Sequence, residues 1–520
     1  MIIRKLITTL SLVAFAAISA SAQTPANEVN LNDMTFVRQS FVRNFYSSHK
    51  VVSQINMEGT DLFLKNSANI VIEHATSTPK LVQDGRTLHI GATKEATSAT
   101  LRVGAFHPYL CYDAQFGNID KNEEVGIVFY PNNGTGGIVK TSYKDGKIYS
   151  TLEGNGERRV LAEADTEKSK TLSLKVQYTG MRFHVFRLCD NGEAKLLYSV
   201  AHDKRDIDSC IKDSFGITVS LPKNGEVTLH KAQSLLACGT GQADPQIVQN
   251  TDGSPLIRDG KLYICFTTRG FEQIRDSYQG VYSLDIDSYE LQLEGALFFG
   301  KGDGKIYGFH ATKVVYDETN KEYLVMTTTH ADTHILAYCS TKSNILHGMH
   351  FLECKELDTP HSYIRAKHKG TEDPDFFYDS EAKKWRLAYC AMKNRSWTTF
   401  LCESDNWNGP YEMIAESPKN NNTGLRITTV GGRRYVLSGG PGTTYYIYDY
   451  PTLRYEGTFR QQYPNGGFRG WPTIVPVPYG NYERYLWITF DRGAQTGRYS
   501  YGTLYFYLGD KMWLKENKQK

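Results

Sequence analysis

The chain has 520 residues, with 59 Lys and Arg against 56 Asp and Glu and a formal net charge of +3. So even a balance, with no basic block and no nucleic-acid motif, excludes nucleic acid as the expected partner. Aromatic residues are abundant (34 Tyr, 24 Phe, 6 Trp), Gly reaches 45, and long helical periodicity is absent, so the expected fold is all-β, with two domains or more at this length.

Residues 1–22 read as a secretory signal peptide. Arg4 and Lys5 give the positive start, Leu6 to Ile18 the apolar run, and Ala20-Ser21-Ala22 the small-residue cleavage site. The apolar run is too short for a membrane span, and no cysteine follows the cleavage site to take a lipid anchor. The expectation is a periplasmic or secreted protein without membrane insertion. An exported location permits disulfides, but the nine cysteines show no readable disulfide framework or zinc pattern. Cys265 and Cys390 sit inside predicted strands, as small buried hydrophobes do.

Residues 24–235 give short alternating segments, among them Glu124 to Tyr130, Leu172 to Tyr178, Met181 to Phe186 and Phe215 to Val219. Turns such as Asn132-Asn133-Gly134, Lys144-Asp145-Gly146 and Asn191-Gly192 separate them. Many short strands with such turns predict a β-sandwich or barrel. The order of a Val-Gly-Ile-Val-Phe strand, a Leu-x-Leu-x-Val-x-Tyr strand, Phe-x-Val-Phe and a late Phe-Gly-Ile-x-Val strand resembles a concanavalin-like (laminin-G-like) jelly roll. The resemblance implies a module that either binds glycan or braces a catalytic domain.

Residues 236–510 divide into five comparable hairpin units, with 511–520 as a C-terminal tail. The third is the plainest. Glu372-Asp373-Pro374 leads into Phe376-Phe377-Tyr378, a polar turn, and the alternating strand Trp385 to Tyr389. With Asp244, His310, Asp373, Gly424 and Trp471 as markers, the units recur 47 to 66 residues apart. That suits four-stranded blades of roughly 40–50 residues plus loops, and five units predict a five-bladed β-propeller.

The five-unit layout, the Asp244-Pro245 of unit one, the Glu-Asp-Pro-Asp-Phe-Phe of unit three and its Ser404-Asp405…Gly409-Pro410-Tyr411 outer hairpin resemble glycoside hydrolases of the family 43 and family 32 type. The resemblance implies Asp244 as general base or nucleophile and Asp373 as the residue that tunes and orients. Asp252 is a rival for the first role. The sequence departs from the pattern where the general-acid Glu should open unit four, since Asn422-Thr423-Gly424-Leu425 carries no carboxylate. Glu372 and Glu416 are the substitutes to weigh, with Glu403 behind them. Carboxylates remain the leading idea because glycoside cleavage needs one group to protonate the leaving oxygen and another to activate water or attack the sugar. The competing reading of Glu372 is an ordinary salt bridge.

His310, Arg269, Arg469, Trp471 and His361 are the expected substrate-binding residues. Arginines at blade mouths pair bidentately with carboxylates or sulfates and so hint at an acidic sugar, while Trp471 could stack on a sugar face. Each has a plain structural alternative on a propeller rim. Arg365 also stands ahead of unit three, and His330-x-Asp332-x-His334 alternates as a metal site can, a weak pattern by spacing alone. No cofactor is required; calcium in the funnel is left open. The expected partner is an oligosaccharide or polysaccharide. Two alternatives stand beside a hydrolase: a polysaccharide lyase using His310 with the funnel arginines, and a non-catalytic glycan-binding protein.

Overall fold

The computed structural model describes residues 23–42, 49–55, 70–132, 136–154, 156–179, 182–189, 193–201, 214–237, 241–269, 277–329, 333–364, 370–461, 470–491 and 503–515. The predicted signal peptide lies outside them. The architecture is all-β; among the described residues the one helical turn is Leu31–Asp33, and no helix is long and apolar enough to cross a membrane.

The first region consists of two antiparallel sheets of seven and eight strands. The seven-stranded sheet centres on Glu124–Tyr130 and Ser214–Leu221, the eight-stranded one on Leu110–Gly117, Leu172–Tyr178 and Glu226–Ala237. Period-2 alternation decides which face turns inward. In Leu172–Tyr178, Leu172, Leu174, Val176 and Tyr178 are buried, while Ser173 and Lys175 between them are partly exposed. The inward rings of the two sheets meet: Tyr112 lies 4.8 Å from Phe129 and 4.7 Å from Phe215, and Tyr178 lies 5.0 Å from Phe129. The Asp145-Gly146 turn joins Ile138–Lys144 to Lys147–Gly154 with both residues at positive φ (44° and 85°), the backbone that a two-residue hairpin of matching twist requires.

The second region is a five-bladed propeller. Its inner strands are Gly241–Ile247, His310–Asp317, Thr371–Asp379, Thr423–Val430 and Thr473–Tyr479, each in a separate sheet. Successive blades share apolar clusters, so side chains of one inner strand point alternately to its two neighbours. Phe376 packs with Val315 and Leu324 of blade two, and Phe377 with Leu425 and Ile427 of blade four. The cluster between blades one and five runs on into the core of the first region. There His107 stacks 4.3 Å from Phe298 of blade one, and Lys50 Nζ bonds Glu294 Oε2 at 2.6 Å.

Two stretches lie elsewhere than the sequence placed them. Phe36–Val42 was assigned to the first region, but it pairs antiparallel with Leu504–Gly509 and forms the outer strand of blade five. Lys511–Leu514, expected in a tail, is a strand paired with Tyr482–Phe490 and, in parallel, with Thr24–Ala26. The ring is thus closed by the start of the described chain, and the two sheets of the first region are inserted between that closing segment and blade one. Local alternation marks Phe36–Val42 as a strand but cannot name a partner so far along the chain.

Candidate functional site

Four of the five inner strands carry the same irregularity at the same place. The register slips between Ala243 and Gln246, His310 and Lys313, Glu372 and Asp375, and Thr423 and Leu425. Within each slip one residue takes a left-handed backbone: Asp244 (φ 54°), Ala311 (φ 50°), Asp373 (φ 62°) and Gly424 (φ 68°). Such a bulge bends the strand and re-aims the side chain at its crest. A non-Gly residue held there costs about 1–3 kcal/mol and persists only where the surroundings fix it. The markers Asp244, Asp373 and Gly424 therefore fall on the bulge. His310 stands one residue ahead of it, and Ala311 is the true counterpart. Residue type does not mark this position, which explains the slip by one.

Blades one and three place carboxylates on the crest. Asp244 is buried, and Arg269 Nη2, at the end of the neighbouring strand, donates to its Oδ2 at 3.3 Å. Asp373 spans three blades. Its backbone N–H donates to Thr328 Oγ1 of blade two at 3.0 Å, and its Oδ2 accepts from the Gly424 N–H of blade four at 2.8 Å. Glu372 beside it is hydrogen-bonded to His334, Oε2 to Nε2 at 2.8 Å. The structure thus gathers Asp244 with Arg269, and Glu372, Asp373 and His310 with the ends of the inner strands.

Other expectations shift. Trp471 is buried, and its ring lies 3.1 Å from where a Cβ on Gly424 would stand. It fills the joint between blades four and five rather than offering a free face to a sugar. His361 is also buried, bonded through Nδ1 to the Tyr389 hydroxyl at 2.6 Å and packed at a tilt with its ring centroid 4.1 Å from that of Phe400. Burial lowers its pKa, and its partners belong to the second and third strands of blade three, so it packs as a core histidine. Glu416 stands on the outer strand Glu412–Asn420, bonded to Lys393 Nζ at 2.6 Å, and Glu403 bonds Arg386. Neither replaces the acid absent from the start of unit four. Asp252 is exposed and shapes a turn by accepting from Ser254 N–H at 2.9 Å. Arg469, Arg365, His330 and Asp332 lie outside the described residues.

What the sequence reading missed lies two residues past each bulge. Gln246, Lys313, Asp375 and Arg426 occupy equivalent places on four inner strands, and all are fully buried. Lys313 Nζ lies 2.9 Å from Asp375 Oδ1 and 2.7 Å from Gln249 Oε1. Arg426 Nη1 donates to the same Gln249 Oε1 at 2.9 Å and to Asp375 Oδ2 at 3.3 Å, which also takes the Ile427 N–H at 2.7 Å. Burial, and next the Arg426 charge, push the Lys313 pKa down to about 7 against the opposing pull of Asp375. Two cationic side chains to one carboxylate do not suit calcium at this place, and among the described residues no three His, Cys, Asp or Glu side chains cluster as metal ligands. The signal was present: a polar residue two places past the marker in units one, three and four, and three places past His310 in unit two, inside otherwise apolar strands.

No protein-family model and no curated protein matches the chain. Solved structures similar to it include a GH43_1 enzyme from Xanthomonas citri complexed with xylose (10% identity, 51% of this chain and 87% of that one, TM-score 0.37). A thermostable family-43 glycoside hydrolase is similar over 54% of this chain and 94% of its own, at 12% identity and TM-score 0.35. The carbohydrate binding module CBM66 from Bacillus subtilis covers 31% of this chain and 96% of its own, at 15% identity and TM-score 0.24. At those scores the chemistry has to come from the residues themselves.

Proposed function

We propose that the protein is an exported glycoside hydrolase that works at the propeller mouth on a complex glycan, neutral or uronate-containing. The observation that carries the reading is the repeated bulge: one left-handed position per inner strand, occupied by Asp in blades one and three. Carboxylates at matching places on different blades are what a two-carboxyl cleavage of a glycosidic bond calls for. The resemblance of Asp-Pro and Glu-Asp-Pro-Asp-Phe-Phe to the family 43 pattern implies the same two residues. In this reading Asp244 is base or nucleophile, oriented by Arg269; Asp373 supports it, and Glu372 is the proton donor. The two-sheet region serves as a concanavalin-like brace or glycan-binding module.

A specific observation favours a second reading, a glycan-binding protein without turnover. The start of unit four, where the family pattern has its acid, reads Asn422-Thr423-Gly424-Leu425 without a carboxylate, and the Gly424 N–H is given to Asp373 with a tryptophan ring packed against the glycine. The lyase alternative draws less support, since the Arg269 it would use on a uronate is engaged by Asp244. Turnover on a panel of neutral and uronate-containing oligosaccharides separates the three. Released sugar without the ultraviolet absorbance of an unsaturated uronide is expected. Asp244→Asn should lower the rate by about 10²–10⁴-fold, the usual contribution of a positioned acid or base. Absorbance would transfer the assignment to a lyase, and binding without either product would make the glycine at 424 decisive.

A further inference from the structure

We infer that Cys339 and Cys354 are disulfide partners in the oxidised protein, stapling the outer seam between blades one and two. The inference stands apart from the glycan reading. The outer strand Leu336–Thr341 of blade two pairs antiparallel with Lys355–Glu356, in the register Ala337 to Glu356 and Tyr338 to Lys355. One step further sets Cys339 opposite Cys354. Directly opposed residues of an antiparallel pair have Cα atoms about 4.5–5.5 Å apart, inside the range of about 4.4–6.8 Å that a disulfide spans. Both side chains belong to one apolar cluster between blades one and two, and the Cys339 thiol stands close enough to Cys354 to raise its pKa. The buried cysteines of blade three are placed differently: Cys390 Sγ donates to Asn422 O, and Cys402 Sγ to the Tyr389 hydroxyl.

The chain path gives the bond a purpose. After Leu336–Thr341 the chain leaves blade two, adds Gly348–Glu353 as a parallel edge strand on Leu291–Gly300 of blade one, and returns at Lys355–Glu356. A bond from 339 to 354 closes this excursion into a ring and pins the borrowed strand. That strand also carries Phe351, whose ring lies 5.2 Å from His107 of the first region, so the staple sits behind a contact between the two regions. Closing such a loop stabilises mainly by restricting the unfolded chain. The oxidant is a small-molecule disulfide such as oxidised glutathione. Its S–S bond and the two protein S–H bonds break, one protein S–S bond forms, and two molecules of reduced thiol leave. Cys354 is only half-buried, so such an oxidant can reach it. The neighbouring Cys339 thiol and burial hold its pKa well above the ordinary thiol value, so thiolate is scarce and the bond forms slowly. It is a structural bond, not a rapid switch.

The test uses the folded full chain, incubated with oxidised glutathione, alkylated, and cut with trypsin without reduction. Cys339 lies alone in fragment 322–342 and Cys354 alone in fragment 343–355. Recovery of the two fragments joined is expected, with a rise in melting temperature that reductant reverses and that Cys354→Ser does not show. Recovery of the fragments singly, alkylated or each carrying glutathione, would overturn the assignment, and the wild-type reading stands even if the variant fails to fold.

Discussion

Lys313, Asp375 and Arg426 are packed together without solvent, and a buried charge is tolerable only while it is paired. Asp375 meets both cations and a backbone N–H. Asp375→Asn would leave the buried Arg426 charge uncompensated, and that of Lys313 as well wherever it is protonated, and a loss of about 3–5 kcal/mol is expected in urea unfolding. Lys313 makes the same cluster pH-sensitive. Its pKa is lowered from 10.5 to about 7 in the fold, so between those values the unfolded chain holds a proton that the folded chain does not. Stability attributable to Lys313 therefore rises with pH through that window, and below it the cost of burying the charge is carried in full. Measured at about pH 6 and about pH 9.5, wild type should gain stability relative to Lys313→Met, which has nothing to titrate there. A difference between the two proteins that does not change with pH would refute this.

At the scale of one strand, the bulge serves two ends at once. In blades two and four it holds Ala311 and Gly424, so the bend belongs to the fold. In blades one and three the same bend carries Asp244 and Asp373, and there it builds the candidate site. Gly424 is the most constrained of the four, because its backbone is left-handed and a Cβ would stand 3.1 Å from the Trp471 ring. Gly424→Ala should cost about 1–3 kcal/mol, read as a drop in melting temperature; an unchanged value would mean that Trp471 yields freely. Much of this was legible in the sequence. The inner strands showed as alternating runs after short polar markers, and Asp244 and Asp373 were singled out from their neighbours. The offset at His310 was not legible, because a bulge adds one residue without a residue type to announce it. Trp471 and His361 read as surface ligands because burial depends on what packs above a side chain, which no local pattern carries.

On the scale of the whole molecule, the propeller is closed by a strand from the other end of the chain. Phe36–Val42 is laid on Leu504–Gly509, with Val37 opposite Leu508. Phe36 is buried, its ring 5.7 Å from Phe459 of blade four and 5.5 Å from Trp487 of blade five. The last blade cannot complete its sheet until both ends of the chain are present, and this non-local pairing is costly to find and strongly cooperative once made. Phe36→Ala removes the ring that joins the closing strand to two blades, and a loss of about 3–5 kcal/mol is expected for a truncation of that size. Its location matters more than its size. Hydrogen exchange should rise first in Tyr482–Phe490 and Leu504–Gly509, while Leu172–Tyr178 and Leu110–Gly117 of the first region keep their protection. Phe41, on the same strand but 61% exposed, is the control, and Phe41→Ala should leave both patterns as they are. Equal loss of protection in the two regions would mean that the first region and the propeller unfold as one unit, as their shared core cluster would allow. Loss confined to blade five would show the closing strand to be a local clasp on a ring that otherwise holds.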